Sequence, residues 1–422
     1  MRRKVGVLCH ITSLPSCNLE SAKRFVDFLE RSNYSVWQML PITPPDYYDS
    51  PYASSSAFAG WTELVKSTKQ ISMDNESYWL EDWALFCTIK QHHQNQPWTD
   101  WPIELRDRHP EALEEWRAKI EPELLKQMSF QAGWNELHNY ATDKGISLVG
   151  DVPIFVAHDS ADVWAHRHLF QLEEDGQPSF VAGVPPDYFS EDGQRWGTVL
   201  YRWESHRIDN YKWWRERIAR VLRLFDKVRI DHFRGFHSAW AIPTQDEHAR
   251  NGFWQEGPGD EILQQLIEEA GGSTKIIAED LGIIPSEVIE LRKRHQLNGM
   301  AVLQFGFDGN ITSNPHYPPN IENDLVVYTG THDNNTTRGW LNNLGDESIN
   351  TICKLVGSKD IDVSTIINLA LGTRAELVII PLQDILNLDS NARMNTPGTD
   401  SGNWSWAFTW DDLQNNFQTK IS

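Results

Sequence analysis

The chain has 422 residues, a net charge of −21, 40% hydrophobic residues and 23% charged ones. This is ordinary globular usage, long enough for one large core. The acidic excess lacks the basic footprint of a nucleic-acid binder, and no run approaches the roughly 20 apolar residues of a membrane helix.

The chain opens on MRRKVGVLCHIT, whose basic lead is like that of a secretory leader. Its apolar run stops at His10, short of the roughly 7–15 residues a leader needs, so VGVLCHIT (5–12) reads as a buried strand. SAKRFVDFLERS then carries helical spacing, and SVWQMLPI (35–42) is a second strand. Residues 61–146, with EDWALFCTIKQHH and EALEEWRAKIEPELLKQM, read as a helical insertion. SLVGDVPIFV (147–156) is a third strand. Residues 157–210 contain FVAGVPPDYFSEDGQRWGTVLYRW, rich in Gly, Pro and aromatics, and read as a loop-rich insertion shaping a cleft. YKWWRERIARVLRLF is helical and leads into KVRIDHF (227–233). KIIAEDL (275–281), the helix PSEVIELRKRH, AVLQFGF (301–307), DLVVYTGTHD (324–333) and ELVIIPLQDI (376–385) follow.

Continuous apolar runs suit parallel strands covered by helices. Eight such runs alternating with helices predict an α/β fold, a (β/α)8 barrel occupying 1–422 as a single catalytic domain with the two insertions. An open doubly wound sheet is the other arrangement this pattern allows. The 19 tryptophans fit either a packed core or a cleft that stacks on sugar rings. Cys9, Cys17, Cys87 and Cys353 form no CxxC pair, so free thiols in a reducing cytoplasm are expected.

In a barrel, working residues sit where strands end. The fourth run ends in Asp231, the fifth in Glu279 and Asp280, the seventh in His332 and Asp333. Neighbouring strands lie ~4.8 Å apart, which sets Asp231 and Glu279 about 5 Å apart. A retaining glycosidase holds its nucleophile and acid/base at ~5–5.5 Å, whereas an inverting one needs ~6.5–9.5 Å. Strand alternation turns Arg229 and Asp231 to one side and Val228 and Ile230 to the other. An adjacent Arg229 favours an ionised Asp231, as a nucleophile requires. Glu279 follows Ile276, Ile277 and Ala278, a setting that raises a carboxyl pKa. A single strand-end acid is more often a helix cap or salt bridge. Three of them with Arg229 and His332 favour catalysis.

Pairs such as Asp231–His232, His332–Asp333 and His158–Asp159 could ligate a metal, but the first strand ends in His10 alone where binuclear hydrolase barrels carry an HxH pair, no HExxH occurs, and no metal is expected. GxGxxG and GxxxxGK[ST] are also missing, so no nucleotide cofactor is expected.

GVLCHITSLP, QMLPITPPDYYDSPYASSSAFAG, GDVPIFVAHDSADVW, VAGVPPDYFSEDGQRWG, VRIDHFRGF, AEDLG, VLQFGFDG, YTGTHDNNTT and NTPGTDSGNWSW occur in this order. Together they resemble the amylomaltase (disproportionating enzyme) family of 4-α-glucanotransferases, glycoside hydrolase family 77. The resemblance implies a barrel with inserted subdomains and a retaining double displacement without a cofactor. It implies malto-oligosaccharides, starch or glycogen-type glucans as partners. By motif, Asp231 matches the nucleophile, Glu279 the acid/base and Asp333 the transition-state stabiliser. Arg229 and His332 match residues holding the sugar at the cleavage point, and Tyr52 the aromatic stacked there. Asp151, Asp280 and Asn395 resemble further sugar contacts, and Asp187 and Trp196 match a loop that covers the cleft in the family.

This sequence departs from the family after TSLP, where a Gly-rich segment is replaced by SCNLESAKRF, and at RWGTVLY, where Thr198 and Val199 stand for an Asn-Pro pair. The helical insert is also short. With water as acceptor the same acids would make a hydrolase; without turnover the chain would be a glucan-binding protein.

Overall fold

The computed structural model describes residues 3–45, 49–64, 67, 69–186, 191–399 and 401–418. Its centre is eight parallel strands: β1 (Lys4–Leu8), β2 (Val36–Gln38), β3 (Ser147–Pro153), β4 (Lys227–Asp231), β5 (Ile276–Ala278), β6 (Gly299–Val302), β7 (Leu325–Tyr328) and β8 (Leu377–Pro381). Their hydrogen-bonded order is β5-β4-β3-β2-β1-β8-β7-β6. A parallel bridge between Ile277 and Asn298 joins the remaining two ends. The strands therefore close into a ring in chain order, which is a (β/α)8 barrel and excludes the open doubly wound sheet.

The ring explains the continuous apolar runs, because each strand is buried on both sides. Val149, Ile277, Met300 and Val326 fill the interior, while Leu148, Val228, Ile230 and Val327 join the layer under the helices. On β3 the outward position 150 is glycine for a steric reason. A Cβ there would lie 2.4 Å from the Phe225 ring.

Helices Leu19–Arg31, Lys212–Leu224, Asp260–Ala270 and Ser286–Arg294 precede β2, β4, β5 and β6. The first begins at Asn18, whose side chain accepts from Ser21 N at 2.8 Å, and buries Phe25, Val26 and Leu29 at helical spacing. One expected alternation lacks its helix. Between β6 and β7 the chain forms only the short 3-10 turns Leu303–Phe305 and Pro318–Asn320. Pro315, Pro318 and Pro319 deny that segment the backbone donors of a helix interior.

The β2–β3 connection contains helices Ser77–His92, Ile103–Arg106, Pro110–Arg117 and Glu121–Asp143. The last lies on the barrel: Trp134 is fully buried, and its Nε1 donates to Leu224 O at 2.7 Å. The segment read as a shaped loop is partly a β-hairpin, Phe180–Val184 with Gln194–Val199. It belongs to a five-stranded antiparallel sheet completed by Val156–Ala157, Ser238–Pro243 and Phe253–Glu256. That sheet stands over the β3 and β4 ends of the barrel mouth, since its strands leave directly from those loops. Most tryptophans pack the core; Trp196 and Trp254 are exceptions, 38% and 39% exposed.

Among the described residues, no helix is long and apolar enough to cross a membrane. Gly150→Val should destabilise the fold by about 1–3 kcal/mol, as overpacking does, read as a lower urea midpoint at unchanged slope.

Candidate active site

The β3–β4 register sets Asp151 beside Arg229 and Pro153 beside Asp231. Arg229 and Asp151 are both buried and point into the barrel. Arg229 Nη1 donates to Asp151 Oδ1 and Oδ2 at 2.8 and 2.7 Å, and Nη2 donates to Asp231 Oδ1 at 2.8 Å. A planar, always charged fork suits this double grip. Asp231 keeps contact with the open mouth, its side chain 29% exposed, whereas that of Asp151 is 0% exposed.

Glu279 follows β5 and continues its pairing with β4: its N donates to Ile230 O at 3.0 Å. This puts it beside Asp231, as the register of adjacent strands predicts. Both carboxylate oxygens accept from main-chain groups, Oε2 from His232 N at 2.6 Å and Oε1 from Leu281 N at 2.9 Å. His232 presents that N–H from a left-handed conformation, φ 52°, rare for a residue with a side chain. Burial pushes the Glu279 carboxyl up to about 7, with the charge of Asp231 adding and Arg229 opposing.

On the other side of Asp231, Tyr52 donates through its hydroxyl to Asp151 Oδ2 at 2.8 Å. Its ring stacks on His332, centroids 5.1 Å apart and 14° from parallel. Trp404 leans on both rings, at 5.8 and 5.9 Å. His332 Nε2 lies 3.3 Å from Asp333 Oδ2. Asn395 Nδ2 donates to Asp333 Oδ1 at 2.5 Å, and Asn395 N donates to His332 O at 3.0 Å. Burial works against the Asp333 charge, but His332 and Asn395 outweigh it and bring the carboxyl down to about 2. Burial likewise opposes a charged His332, yet Asp333 holds its pKa above the ordinary value.

The structure thus gathers Tyr52, Asp151, Arg229, Asp231, Glu279, His332, Asp333 and Asn395. Asp151 is not turned to a ligand, as expected from sequence, but locked under Arg229 and Tyr52. Asp280 departs further. Its carboxylate faces away, accepting from Met300 N at 2.8 Å and pairing with buried Arg292 at 2.9 Å. Gly299 leaves room for it, because a Cβ there would lie 2.6 Å from Asp280 Oδ2. Trp196 stands beside the site, edge-on to His232 at 4.8 Å. Asp187 lies outside the described residues. Sequence reasoning did not single out Trp404 or Arg393, whose Nη2 donates to the Asp333 carbonyl. The aromatic pair in GNWSW and the Arg before MNTPG were the available signals.

Among the described residues, no group of three or more His, Cys, Asp or Glu is arranged to hold a metal ion. Asp159 pairs with Lys90 at 2.5 Å instead, and His158 with Gly176 O at 2.7 Å.

The 4-alpha-glucanotransferase family model matches residues 9–71 and 66–412. The chain belongs to this family. It is 40% identical to the chloroplastic/amyloplastic 4-alpha-glucanotransferase of Arabidopsis thaliana, over 99% of this chain and 84% of that protein. It is 38% identical to the 4-alpha-glucanotransferase of Thermus thermophilus, over 96% of this chain and 94% of that protein. The amylomaltase of Streptococcus agalactiae, solved in complex with acarbose, superposes with a TM-score of 0.92 at 32% identity, covering 98% of this chain and 97% of that one. The two stretches of the family match overlap at residues 66–71. The alignment with the Arabidopsis relative runs to 485 positions, more than this chain has residues, so that glucanotransferase carries segments missing here.

The raised Glu279 pKa has a thermodynamic signature. A folded-state pKa of about 7 against the ordinary 4.5 means the folded protein holds more protons than the unfolded one between those pH values. Stability is then lost as pH rises through that window. Glu279→Gln removes this contribution. The difference in Tm, variant minus wild type, should therefore become more positive from pH 5 to pH 8 in paired thermal melts.

Proposed function

We propose that this chain moves a 1,4-α-glucan segment onto the 4-hydroxyl of another glucan or of glucose, by two displacements through a covalent glucosyl-enzyme. The observation that carries this is the unequal treatment of neighbouring carboxyls. Asp231 is hydrogen-bonded to a buried guanidinium, while Glu279 beside it is held near pH 7 by burial. A nucleophile needs a carboxylate aimed by such a partner, and a proton donor needs a carboxyl that can hold its proton near neutral pH. Their places at the ends of adjacent strands suit the ~5–5.5 Å spacing of a retaining pair.

In the first step an oxygen of Asp231 attacks the anomeric carbon. The bond to the glycosidic oxygen breaks, and Glu279 gives its proton to that oxygen. The segment on the leaving side departs with a free 4-hydroxyl. In the second step an incoming 4-hydroxyl attacks the same carbon and passes its proton to Glu279. The bond to Asp231 breaks, restoring both carboxyls. Two inversions retain the α configuration.

Asp333, kept ionised, faces the ring hydroxyls of the sugar carried by Asp231, with His332 beside it. Hydrogen bonds there that strengthen as the ring flattens favour the transition state. Tyr52 and Trp404 supply an apolar wall for the same sugar. Arg229 acts through Asp231, and Asp151 through Arg229. The four cysteines are unpaired, which suits a reducing compartment. The segments 61–146 and 157–210 are read as insertions that frame the cleft.

Asp231→Asn and Glu279→Gln should each lower maltotriose disproportionation by about 10³-fold or more, measured by sizing the glucan ladder. Activity near wild type in either variant would sink the assignment. In the wild-type enzyme kcat/KM should fall as pH rises through about 7, because Glu279 loses the proton it must donate. The count of reducing ends should stay constant during the reaction, and a steady climb would identify a hydrolase.

A further inference from the structure

Arg234 and two exposed apolar residues remain outside the site just described. Ile283 is 78% exposed and Trp254 39% exposed, unusual for side chains of this size. Neither is loose. The Arg234 guanidinium lies 3.7 Å from the centre of the Trp254 ring, and its Nη1 donates to Ile283 O at 2.8 Å. Trp240, opposite Trp254 in the antiparallel sheet, meets it edge-on at 5.1 Å. Trp240 is fixed in turn by a bond from its Nε1 to Ala249 O at 2.9 Å. One arginine thus ties a tryptophan on the second sheet to the loop after β5.

That loop is the one that carries Glu279. Leu281, two residues before Ile283, holds Glu279 Oε1 through its N–H at 2.9 Å. Arg234 belongs to the turn Phe233–Phe236, just after Asp231. Tyr52, His332, Asp333 and Trp404 come from the loops after β2, β7 and β8, on the opposite side of Asp231. An acid/base faces the leaving and incoming oxygen, so the β4–β5 side is where the segment beyond the cleaved bond must run. An aromatic face with an aliphatic neighbour matches the C–H faces of a neutral glucan.

We propose that Trp254 and Ile283, joined by Arg234, form a platform for the acceptor glucan. It contacts sugar units beyond the one whose 4-hydroxyl reacts, so acceptors of several units are favoured over glucose. The departing segment lies on the same platform before it leaves. This rests on the glucan-transfer reading above. Arg234 is a positioning residue here; Trp254 and Ile283 touch the sugar.

The test uses a maltoheptaoside blocked at its non-reducing 4-hydroxyl, which can donate but cannot accept. Maltotetraose and glucose compete as labelled acceptors. Trp254→Ala should raise the acceptor KM for maltotetraose about tenfold and lower the maltotetraose-over-glucose preference by a similar factor. Ile283→Asn, at a solvated position, should lower that preference about threefold, and Trp254→Phe should retain most of it. Unchanged preference in a folded Trp254→Ala overturns the platform. If that variant does not fold, unchanged preference in Ile283→Asn overturns it equally. A wild-type enzyme that elongates neither acceptor overturns the transfer reading itself, and the platform with it.

Discussion

The contact on which the site depends is the grip of Arg229 on Asp151 and Asp231. A buried guanidinium loses its water, and only well-placed acceptors compensate. Asp151 supplies two of those contacts from the neighbouring strand and Asp231 a third. Asp151 is in turn closed off by the Tyr52 hydroxyl. The network ties the loop after β2 to β3 and β4, so the orientation of Asp231 is set by three elements of the barrel. Removing one partner would strand a buried charge, which is far worse than losing a single hydrogen bond.

Around that contact the barrel creates two electrostatic climates within one mouth. Asp333 is charged because a histidine and an amide face it. Glu279 leans to the protonated form because burial dominates its surroundings. No metal ligand set is needed to create this difference. It follows from which strand end each residue occupies and from what the next loop brings over it.

Much of this was legible beforehand. The eight strands were readable because parallel strands buried on both sides leave unbroken apolar runs. The inward turn of Arg229 and Asp231 followed from alternation alone. Asp280 misled because sequence adjacency to Glu279 says nothing about direction. At a strand end successive side chains diverge, and only the structure shows Arg292 waiting on the other side. The second sheet was hidden because its strands come from segments far apart in the chain and are short. The β6–β7 connection was misjudged for the opposite reason: its three prolines were visible but were outweighed by the rhythm of its neighbours. Trp404 escaped because aromatic residues near a chain end pack as often as they bind.

The hold on Glu279 has an evolutionary side. Both donors, His232 N–H and Leu281 N–H, belong to the main chain. Side-chain drift at positions 232 and 281 therefore leaves the donors in place; proline alone would delete one. With one lone pair of each oxygen committed to the backbone, a proton on this carboxyl is confined to the remaining directions. The direction of the Glu279 carboxyl is thus written into the course of two loops, and it can persist while the surrounding side chains diversify.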